Sequence, residues 1–503
     1  MSATERREAP ELATSELSER AHARFLWAVV ALLAVGLWLW PMRASLWTDE
    51  LGTWWVIKDG FGDAIDRAVT FHGQSPLFYV LLWGTRHVVG RSEVALRLPS
   101  LLAAAGAAAL TFVLVRRLAN DEAARLTTVA FVGIGGIAFA ATDARPYALG
   151  VLVALAACLA LVRWLDEGGW GRGALFVLLT VAIVWVHYML ALIIPVLFLY
   201  AMLRRRLGAA APSGRSIVVA GGACILGVIP LAAQLASLWS RRGSLAVPNI
   251  ATFGDLLREI VPLALPVGIA LGALVARTQG PLHIAWIRVR PGAAALAGTW
   301  LAVPPVTLFL LSVVTGVMLF APRYYVLAAP AAAAIFGWFV ASVWPASARR
   351  IIAACFAIVA ILVSGGALKN GEDWRGAVAF TAASTDADTL VLVHPALVES
   401  AQPDWLDDPV RRSYLLSPLA YYPLDADVVL LPFVLDPAAE HYLGGVVDAE
   451  LGERDRFLIL TNYADVPFAS WLDGRLGPQG WTSRVVGGFG GIQVIEFTRS
   501  AER

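Results

Sequence analysis

A series of about eleven apolar runs, most of them long enough to cross a bilayer and several at the short limit, most constrains what this chain can fold into. A spanning helix needs roughly 17–25 mostly apolar residues. The chain is 58% hydrophobic and only 15% charged, whereas soluble domains average about 45–50% and about 25%. The sequence therefore predicts a polytopic α-helical membrane protein. The candidate spans are residues 25–42, 94–115, 123–141, 146–164, 173–187, 188–203, 216–238, 256–276, 294–318, 324–343 and 350–366.

One further apolar run, PLFYVLLWGTRHVVG at residues 76–90, could either span the membrane or lie along its surface. The positive-inside rule places it, because arginine-rich loops face the cytoplasm. If 76–90 lies in the interface, five basic loops fall on the same side as an N-terminal tail of residues 1–24. The sequence therefore predicts an interfacial helix here, about eleven transmembrane helices and a cytoplasmic tail. The basic loops carry Arg116, Arg117 and Arg125; Arg163 and Arg172; Arg204, Arg205 and Arg206; Arg277, Arg288 and Arg290; and Arg349 and Arg350.

The last part of the chain, residues 367–503, changes character. It contains 20 acidic and 10 basic residues, so an acidic segment follows a basic membrane part. The runs DTLVLVHP, RFLILTNY and GGIQVIEFT are typical of strands, and DWRGAVAFTAAS and PFASWLDGRLG of amphipathic helices. Alternating strands and helices indicate a small α/β domain, which the topology places outside the cytoplasm. No G-x-G-x-x-G or P-loop pattern marks this domain as nucleotide-binding.

Cysteine and charge patterns argue against two other kinds of site. Cys158, Cys224 and Cys355 all lie within apolar runs, so they are expected to be small core residues and not a disulfide framework or a metal site. No basic tract with interleaved aromatic residues lies outside the predicted spans. Nucleic acid is therefore not an expected partner.

Polar and ionisable residues recur at the turns of the predicted outer face, in an otherwise apolar and tryptophan-rich setting. Ionisable residues at membrane depth mark functional sites by default. The candidates are Asp49 and Glu50 in SLWTDELGTWW; His72 and Gln74 in FHGQSPLFY; Arg97; Asp143 and Arg145 in TDARPYALG; His187 and Tyr188 in WVHYM; Arg241 and Arg242; and Arg323 and Tyr324 in APRYYVLAAP.

Each candidate also has a purely structural interpretation. Asp49 or Glu50 could cap the short helix that follows. Asp143 and Arg145 could form a structural ion pair. A functional site is favoured because all of these candidates converge on one predicted face. The other structural alternatives are an interfacial position for His72, a backbone hydrogen bond for His187, a snorkelling anchor for Arg323, and solvated charges for Arg241 and Arg242.

The chemistry open to such a face is restricted. Carboxylates and a histidine can take a proton from a hydroxyl or an amine. Arginines can hold a phosphate through paired hydrogen bonds, and aromatic side chains can stack on sugar rings. A lipid-linked phosphate at the membrane surface would meet all of these groups.

The order of these motifs resembles the integral-membrane C-type glycosyltransferases, which share the GT-C fold. The resemblance is specifically to the family-39-like group, which includes the bacterial aminoarabinose transferases and the protein O-mannosyltransferases. It covers about residues 25–366 and rests on the acidic pair, on His72 and Pro76, and on ALRLPSLLAAAG, RRL, DARPYAL and RYYVLAAPA in that order. The late EDWRGAVAF also occurs in bacterial members with this layout. The double proline that many members carry after the histidine is absent here.

The resemblance implies an inverting membrane glycosyltransferase with residues 25–366 as its catalytic domain and residues 367–503 as an extracytoplasmic domain. The donor would be a polyprenyl-phosphate-linked hexose or pentose. The acceptor would be a glycan, lipid or protein of the bacterial cell envelope, met at the outer face of the inner membrane. The lipid bilayer itself is thus a partner.

Site residues follow from the same resemblance. Asp49, with Glu50 beside it, matches the family's first-loop acid, thought to act as base or to orient the acceptor. Arg323 matches a late-loop arginine that fits a contact with the donor phosphate. The other expected substrate contacts are His72, Gln74, Arg97, Asp143, Arg145, His187, Tyr188 and Tyr324. Asp49, Glu50, His72 and Asp143 could also ligate a divalent cation, although their spacing does not demand one.

Two other classes remain open at this point. A transporter or flippase of lipid-linked envelope precursors is expected to show internal repeats and broken helices near mid-depth. We find no repeat, and the polar residues lie at one face. A scaffold with an inactive membrane part and a partner-binding outer domain is the second. The combination of acids, histidines and arginines favours glycosyl transfer over both.

Overall fold

The computed structural model describes residues 19–71, 75–240, 252–316, 322–364, 371–386, 388–451, 454–462 and 467–499. The chain divides into two compact units. Unit 1 comprises Met1–Met42, Arg97–Ala233 and Pro248–Leu368, and unit 2 comprises Arg43–Leu96, Gln234–Val247 and Lys369–Arg503. The segment from residue 43 to residue 96, which carries Asp49, therefore belongs to the same unit as the C-terminal part of the chain.

The described residues contain eight helices that are long and apolar enough to cross a membrane, or ten spans if two bent helix pairs are each counted as one. The helix Trp170–Val186, of 17 residues, corresponds to the remaining predicted span. These helices confirm the predicted polytopic α-helical fold. The eight helices are Glu19–Arg43, Glu93–Leu118, Tyr147–Glu167, Tyr188–Arg206, Gly214–Ala236, Ala293–Thr315, Arg323–Ala341 and Ala346–Ser364.

Two spans that the sequence predicts as single helices are broken. Asp121–Gly133 and Gly135–Ala141 meet at 68°, and Phe253–Ile260 and Ala264–Arg277 meet at 60°. The first break lies at Ile134, whose φ of −69° and ψ of 123° are extended. The second includes a proline, which lacks the N–H that would continue a helix.

The loops predicted to be cytoplasmic meet one another in unit 1. Three guanidinium groups surround Asp166: Arg117 Nη2 lies 2.9 Å, Arg204 Nη2 2.9 Å and Arg290 Nη1 2.7 Å from its carboxylate oxygens. We call these four side chains the Asp166 cluster. Each comes from a different loop or helix end, so the structure confirms that these loops share one face.

A second cluster of charged side chains joins three further helix ends that were predicted to be cytoplasmic. Glu122 lies 2.6 Å from Nε2 of His22, 3.2 Å from Nη1 of Arg125 and 3.7 Å from Nη1 of Arg349. It therefore connects the starts of the first span, the broken Asp121 span and the last span.

In unit 2, the apolar helix Leu77–Val89 has 13 residues. At 1.5 Å per residue it is about 20 Å long, which is shorter than the ~30 Å hydrocarbon core of a bilayer. Its length agrees with the interfacial position that the sequence predicts.

The C-terminal part of unit 2 contains a five-stranded mixed sheet. Its strands are β1 (Leu390–His394), β2 (Asp427–Leu430), β3 (Arg456–Thr461), β4 (Trp481–Phe489) and β5 (Ile492–Arg499). They lie in the order β2-β1-β3-β5-β4. β1 is parallel to β2 and β3, and β5 is antiparallel to β3 and β4.

This sheet confirms the predicted α/β character of the C-terminal part. The three predicted strands are β1, β3 and β5, and the two predicted helices are Trp374–Ser384 and Pro467–Leu476. The edge strands β2 and β4 and the helix Pro437–Glu450 were not predicted. The other short helices of unit 2 are Thr48–Ile57, Phe61–Thr70, Pro403–Asp407, Pro409–Leu415 and Ser417–Tyr421, and Ala232–Ser240 begins in unit 1.

Gly337 allows the helix Arg323–Ala341 to approach the helix Asp121–Gly133 closely. A Cβ atom at this position would lie 2.6 Å from the backbone N of Thr127 and 2.7 Å from the carbonyl oxygen of Ala123. Small residues at helix contacts in membranes permit such approaches. We expect Gly337→Ala to destabilise the protein by about 1–3 kcal/mol, the usual effect of overpacking, measured as a lower melting temperature in detergent.

Gly298 provides a matched control for this prediction. It is exposed in the helix Ala293–Thr315, and a Cβ atom at this position would have no neighbour within 4 Å among the described residues. Gly298→Ala should therefore leave the melting temperature unchanged or raise it, since alanine favours helix by up to ~1 kcal/mol. Equal melting temperatures for both variants would contradict the predicted close approach.

Candidate active site

His187 lies at the junction of two helical segments in unit 1. It ends the helix Trp170–Val186 and begins the 3-10 turn Tyr188–Leu192, with φ −166° and ψ 128°. Its Nδ1 accepts a hydrogen bond of 3.2 Å from the N–H of Met189. A neutral imidazole whose Nδ1 accepts carries its proton on Nε2, so Nε2 is a hydrogen-bond donor.

The Nε2–H donor of His187 is buried. The residue is 4% exposed, and Nε2 has no hydrogen-bond partner among the described residues. The positive charges of Arg145 and Arg323 both act on this ring. A buried donor without a hydrogen-bond partner costs free energy. An anion would accept this hydrogen bond and would also be attracted by the two guanidinium charges.

Two tyrosine rings pack around His187. The ring centroids of Tyr147 and Tyr324 each lie 5.5 Å from that of His187 and 6.1 Å from one another. The guanidinium carbon of Arg323 lies 5.6 Å from the centre of the Tyr324 ring. We call Arg145, Tyr147, His187, Arg323 and Tyr324 the His187 group. The structure thus brings together four of the predicted site residues.

Arg145 is held by a tight turn at the start of the helix Tyr147–Glu167. Its N–H donates a 2.7 Å hydrogen bond to the carbonyl of Asp143, and its own carbonyl accepts one of 3.3 Å from Oγ of Ser100. Asp143 is 1% and Arg145 3% exposed. The turn therefore fixes both backbones, and burial restricts both side chains.

The remaining predicted residues of unit 1 lie at helix ends. Tyr188 is half-buried in the 3-10 turn after His187. Arg97 is fully buried, and its Nη1 donates a 3.0 Å hydrogen bond to the carbonyl of Met42. Arg97 thus joins its helix to the end of the first span.

The acidic pair lies in unit 2, in the first turn of the helix Thr48–Ile57. Glu50 is fully buried, and its Oε2 accepts a 3.3 Å hydrogen bond from the N–H of Trp47. Glu50 therefore caps the helix, as the structural alternative proposed. Asp49 is half-buried, and its carbonyl accepts from Oγ1 of Thr53 at 3.0 Å. The structure thereby gives the two acids different surroundings.

Four predicted residues lie outside the described residues: His72, Gln74, Arg241 and Arg242. Within the described part of the chain, no group of three or more His, Cys, Asp and Glu side chains is arranged to hold a metal ion. Asp49, Glu50 and Asp143 belong to that part, whereas His72 does not.

Tyr147 is a member of the His187 group that the sequence did not single out. It is 1% exposed and begins the helix Tyr147–Glu167. The available signal was its place in TDARPYALG, two residues after Arg145. A tyrosine opening an apolar helix is common enough at a membrane interface to be passed over.

Known proteins resemble this chain in part of its sequence and in its fold. Residues 73–232 match the family model of dolichyl-phosphate-mannose-protein mannosyltransferases. No curated protein matches the chain in sequence. The crystal structure of ArnT from Cupriavidus metallidurans bound to undecaprenyl phosphate is similar at 13% identity, with 94% of this chain and 97% of that chain covered and a TM-score of 0.56. This chain has the C-type glycosyltransferase fold.

Two further structures show the same GT-C fold. ArnT from Cupriavidus metallidurans in the apo state matches at 12% identity and a TM-score of 0.52, with 95% of this chain and 98% of that chain covered. Arabinofuranosyltransferase AftD from Mycobacteria matches at 13% identity and a TM-score of 0.50, with 95% of this chain but 40% of that chain covered. The predicted resemblance to the C-type glycosyltransferases is thus confirmed.

Proposed function

We propose that this chain is an inverting glycosyltransferase of the bacterial inner membrane. It would move a sugar from a polyprenyl-phosphate donor to a cell-envelope acceptor at the extracytoplasmic face. The observation that carries the proposal is the buried Nε2–H of His187, on which the charges of Arg145 and Arg323 act. This is an anion-binding arrangement in a fold shared with ArnT, whose crystal structure holds undecaprenyl phosphate.

The donor phosphate would bind at the His187 group. Arginine presents a planar fork that matches phosphate oxygens, and a buried N–H adds a directed hydrogen bond. Such contacts gain strength in a site of low dielectric constant and stabilise charge that develops on the leaving group. Arg145 and Arg323 would therefore favour departure of the polyprenyl phosphate.

Asp49 would act on the acceptor. As the acceptor oxygen attacks the anomeric carbon, its proton passes to the Asp49 carboxylate. The bond from the anomeric carbon to the phosphate oxygen breaks, and its electron pair leaves with the polyprenyl phosphate. Attack from the face opposite the phosphate inverts the anomeric configuration. Glu50 is assigned a structural role instead, because its Oε2 accepts from the N–H of Trp47 and caps the helix.

The two ends of one helix support the proposed orientation of the site. Tyr147, in the His187 group, begins the helix Tyr147–Glu167, and Asp166 lies near its other end. A helix of 21 residues is about 30 Å long, so the His187 group and the Asp166 cluster lie at opposite membrane faces. The positive-inside rule assigns the arginine-rich Asp166 cluster to the cytoplasm, which leaves the His187 group outside.

The proposal is tested with purified protein in nanodiscs and a panel of undecaprenyl-phosphate-linked hexoses and pentoses. We expect one donor to be consumed, with release of undecaprenyl phosphate and a product of inverted anomeric configuration by NMR. In a deletion strain, mass spectrometry should show an envelope glycan that lacks one sugar. Product with retained configuration would contradict the proposed mechanism.

The same experiments distinguish glycosyl transfer from transport. Transport is tested because two of the helices are broken, as is common in transporters. A transporter would leave the envelope glycans unchanged and alter the distribution of lipid-linked precursors between the two leaflets. That result would overturn the proposed function.

A further inference from the structure

Glu372, in the C-terminal part of unit 2, is bound to the first residue of the helix that carries Asp49. Its Oε2 accepts hydrogen bonds of 2.8 Å from both the N–H and Oγ1 of Thr48. These residues are 324 positions apart in the chain. Thr48 directly precedes Asp49, so this contact lies one residue from the proposed base.

Two further side chains surround the same contact. Nε1 of Trp374 donates to Oε2 of Glu372 at 3.0 Å and lies 3.2 Å from Oγ1 of Thr48. Nδ2 of Asn462 donates to Oγ1 of Thr48 at 3.4 Å. Trp374 is fully buried and Thr48 is 4% exposed. We call Thr48, Glu372, Trp374 and Asn462 the Thr48 network.

The Thr48 network satisfies a group that a helix cannot satisfy itself. The first four N–H groups of an α-helix have no intrahelical acceptor. Glu50 accepts from the N–H of Trp47, the residue before the helix, and Glu372 accepts from the N–H of Thr48. The backbone directly before Asp49 is therefore held at two successive N–H groups by two carboxylates.

The segment that leads into this helix is attached to the same part of unit 2. The N–H of Arg375 donates to Oγ of Ser45 at 3.0 Å, and the N–H of Leu46 donates to the phenol oxygen of Tyr422 at 3.0 Å. Nη2 of Arg375 donates to the carbonyl of Arg43 at 3.1 Å. The chain from residue 43 to residue 48 is thus attached at four of its six positions, residues 43, 45, 46 and 48, and not through a single contact.

We propose that Glu372, with Trp374, is a positioning residue for Asp49, and that the C-terminal α/β domain serves the transfer reaction by fixing the start of the Asp49 helix. The inference rests on the proposed role of Asp49 as the base. It gives the EDWR segment a function that neither sugar nor acceptor binding requires.

Burial raises the pKa of Glu372 above its usual range. A site that disfavours the charged carboxylate should accept a neutral side chain of the same shape. Glutamine keeps one carbonyl oxygen as acceptor for Thr48 and Trp374, whereas alanine removes it. Glu372→Gln and Glu372→Ala therefore form a pair that separates hydrogen-bond acceptance from the mere presence of a side chain.

The test compares steady-state transfer from the undecaprenyl-phosphate sugar that the wild-type protein uses. We expect Glu372→Ala to lower kcat by about 10- to 100-fold, because a displacement of about 1 Å at a reacting group can cost 10²-fold. The KM for the donor should stay within about twofold, since the donor phosphate is proposed to bind at the His187 group in unit 1. Glu372→Gln should recover most of the wild-type kcat.

Ser413→Ala is the matched control. Oγ of Ser413 accepts a 2.9 Å hydrogen bond from Nε1 of Trp55, near the other end of the Asp49 helix. It is also a contact from the C-terminal part, but it lies away from Thr48. Wild-type kcat is expected for this variant. An equal loss of kcat in Ser413→Ala and Glu372→Ala would show general loosening of unit 2 and overturn the positioning role.

Hydrogen–deuterium exchange provides a measurement that does not depend on transfer. In Glu372→Ala, amides of residues 46–53 should exchange faster than in the wild type, and in Glu372→Gln they should not. If the wild type transfers no sugar from any donor, the proposed function fails, while the exchange result still decides whether Glu372 fixes this turn. Unchanged exchange in Glu372→Ala would overturn the inference even if transfer were confirmed.

If Glu372→Ala cannot be isolated as a folded protein, Thr48→Val and Trp374→Phe each remove part of the same network. Both should lower kcat and raise exchange over residues 46–53, in the same direction but less than expected for alanine at position 372. Wild-type kcat and exchange in both variants would contradict the proposal.

Discussion

Replacing Asp49 by asparagine should reduce sugar transfer by about 10²–10⁴-fold, the range that general base catalysis contributes. Asparagine preserves the size of the side chain but cannot take the acceptor proton. The affinity for undecaprenyl phosphate should not change, because the phosphate is proposed to bind at the His187 group. Single-turnover transfer and a binding titration with undecaprenyl phosphate, on the same preparation, measure the two quantities.

Two variants give this prediction its controls. Asp63 occupies the corresponding first turn of the helix Phe61–Thr70, where its exposed carboxylate accepts from the N–H of Gly60 at 3.0 Å, so Asp63→Asn should transfer normally. Glu50→Gln keeps an acceptor for the N–H of Trp47 and should lose less activity than Asp49→Asn. Full activity in Asp49→Asn would move the catalytic base to another residue.

The grouping of arginine-rich loops at one face could be predicted because arginine placement follows a simple physical rule. Loops rich in Lys and Arg tend to stay on the cytoplasmic side during insertion, so loop charge predicts which helix ends share a face. Arg117, Arg204 and Arg290, assigned to one face from the sequence, all contact Asp166. The rule does not predict the bend at Ile134, because apolar composition is the same whether a span is straight or broken.

In the C-terminal sheet, too, some strands could be predicted from the sequence and others could not. Its interior strands β1 and β3 are almost wholly buried, as is much of β5, and buried strands read as continuous apolar runs. The edge strands β2 and β4 are largely half-buried or exposed, and β4 contains two glycines. β4 carries no comparable apolar run, whereas the run VVLL at residues 428–431, which begins in β2, is short and is followed by a proline.

Long-range hydrogen bonds account for the parts of the site that sequence could not predict. The candidate residues could be named from their motifs, including Arg145, His187 and Arg323. The bond from the N–H of Met189 that leaves the proton on Nε2 of His187 depends on an extended backbone at one residue. The contact of Glu372 with Thr48 joins distant positions, and no local pattern encodes it.

Arg323→Ala should weaken the binding of undecaprenyl phosphate by about 10- to 100-fold. A hydrogen bond to a charged group contributes about 1.5–3 kcal/mol, and about 1.4 kcal/mol corresponds to a tenfold change in affinity. Arg323→Lys should recover only part of the affinity, because lysine keeps the charge but not the two-pronged geometry. Titration of the protein in nanodiscs with undecaprenyl phosphate measures each dissociation constant.

Arg277 supplies the matched control for this loss of charge. It is exposed in the last turn of the helix Ala264–Arg277 and belongs to a loop predicted to face the cytoplasm, so Arg277→Ala should bind undecaprenyl phosphate like the wild type. If Arg323→Ala and Arg145→Ala both retained wild-type affinity, the phosphate would bind elsewhere. The buried donor of His187 would then need another anion, and the observation that carries the proposed function would no longer support it.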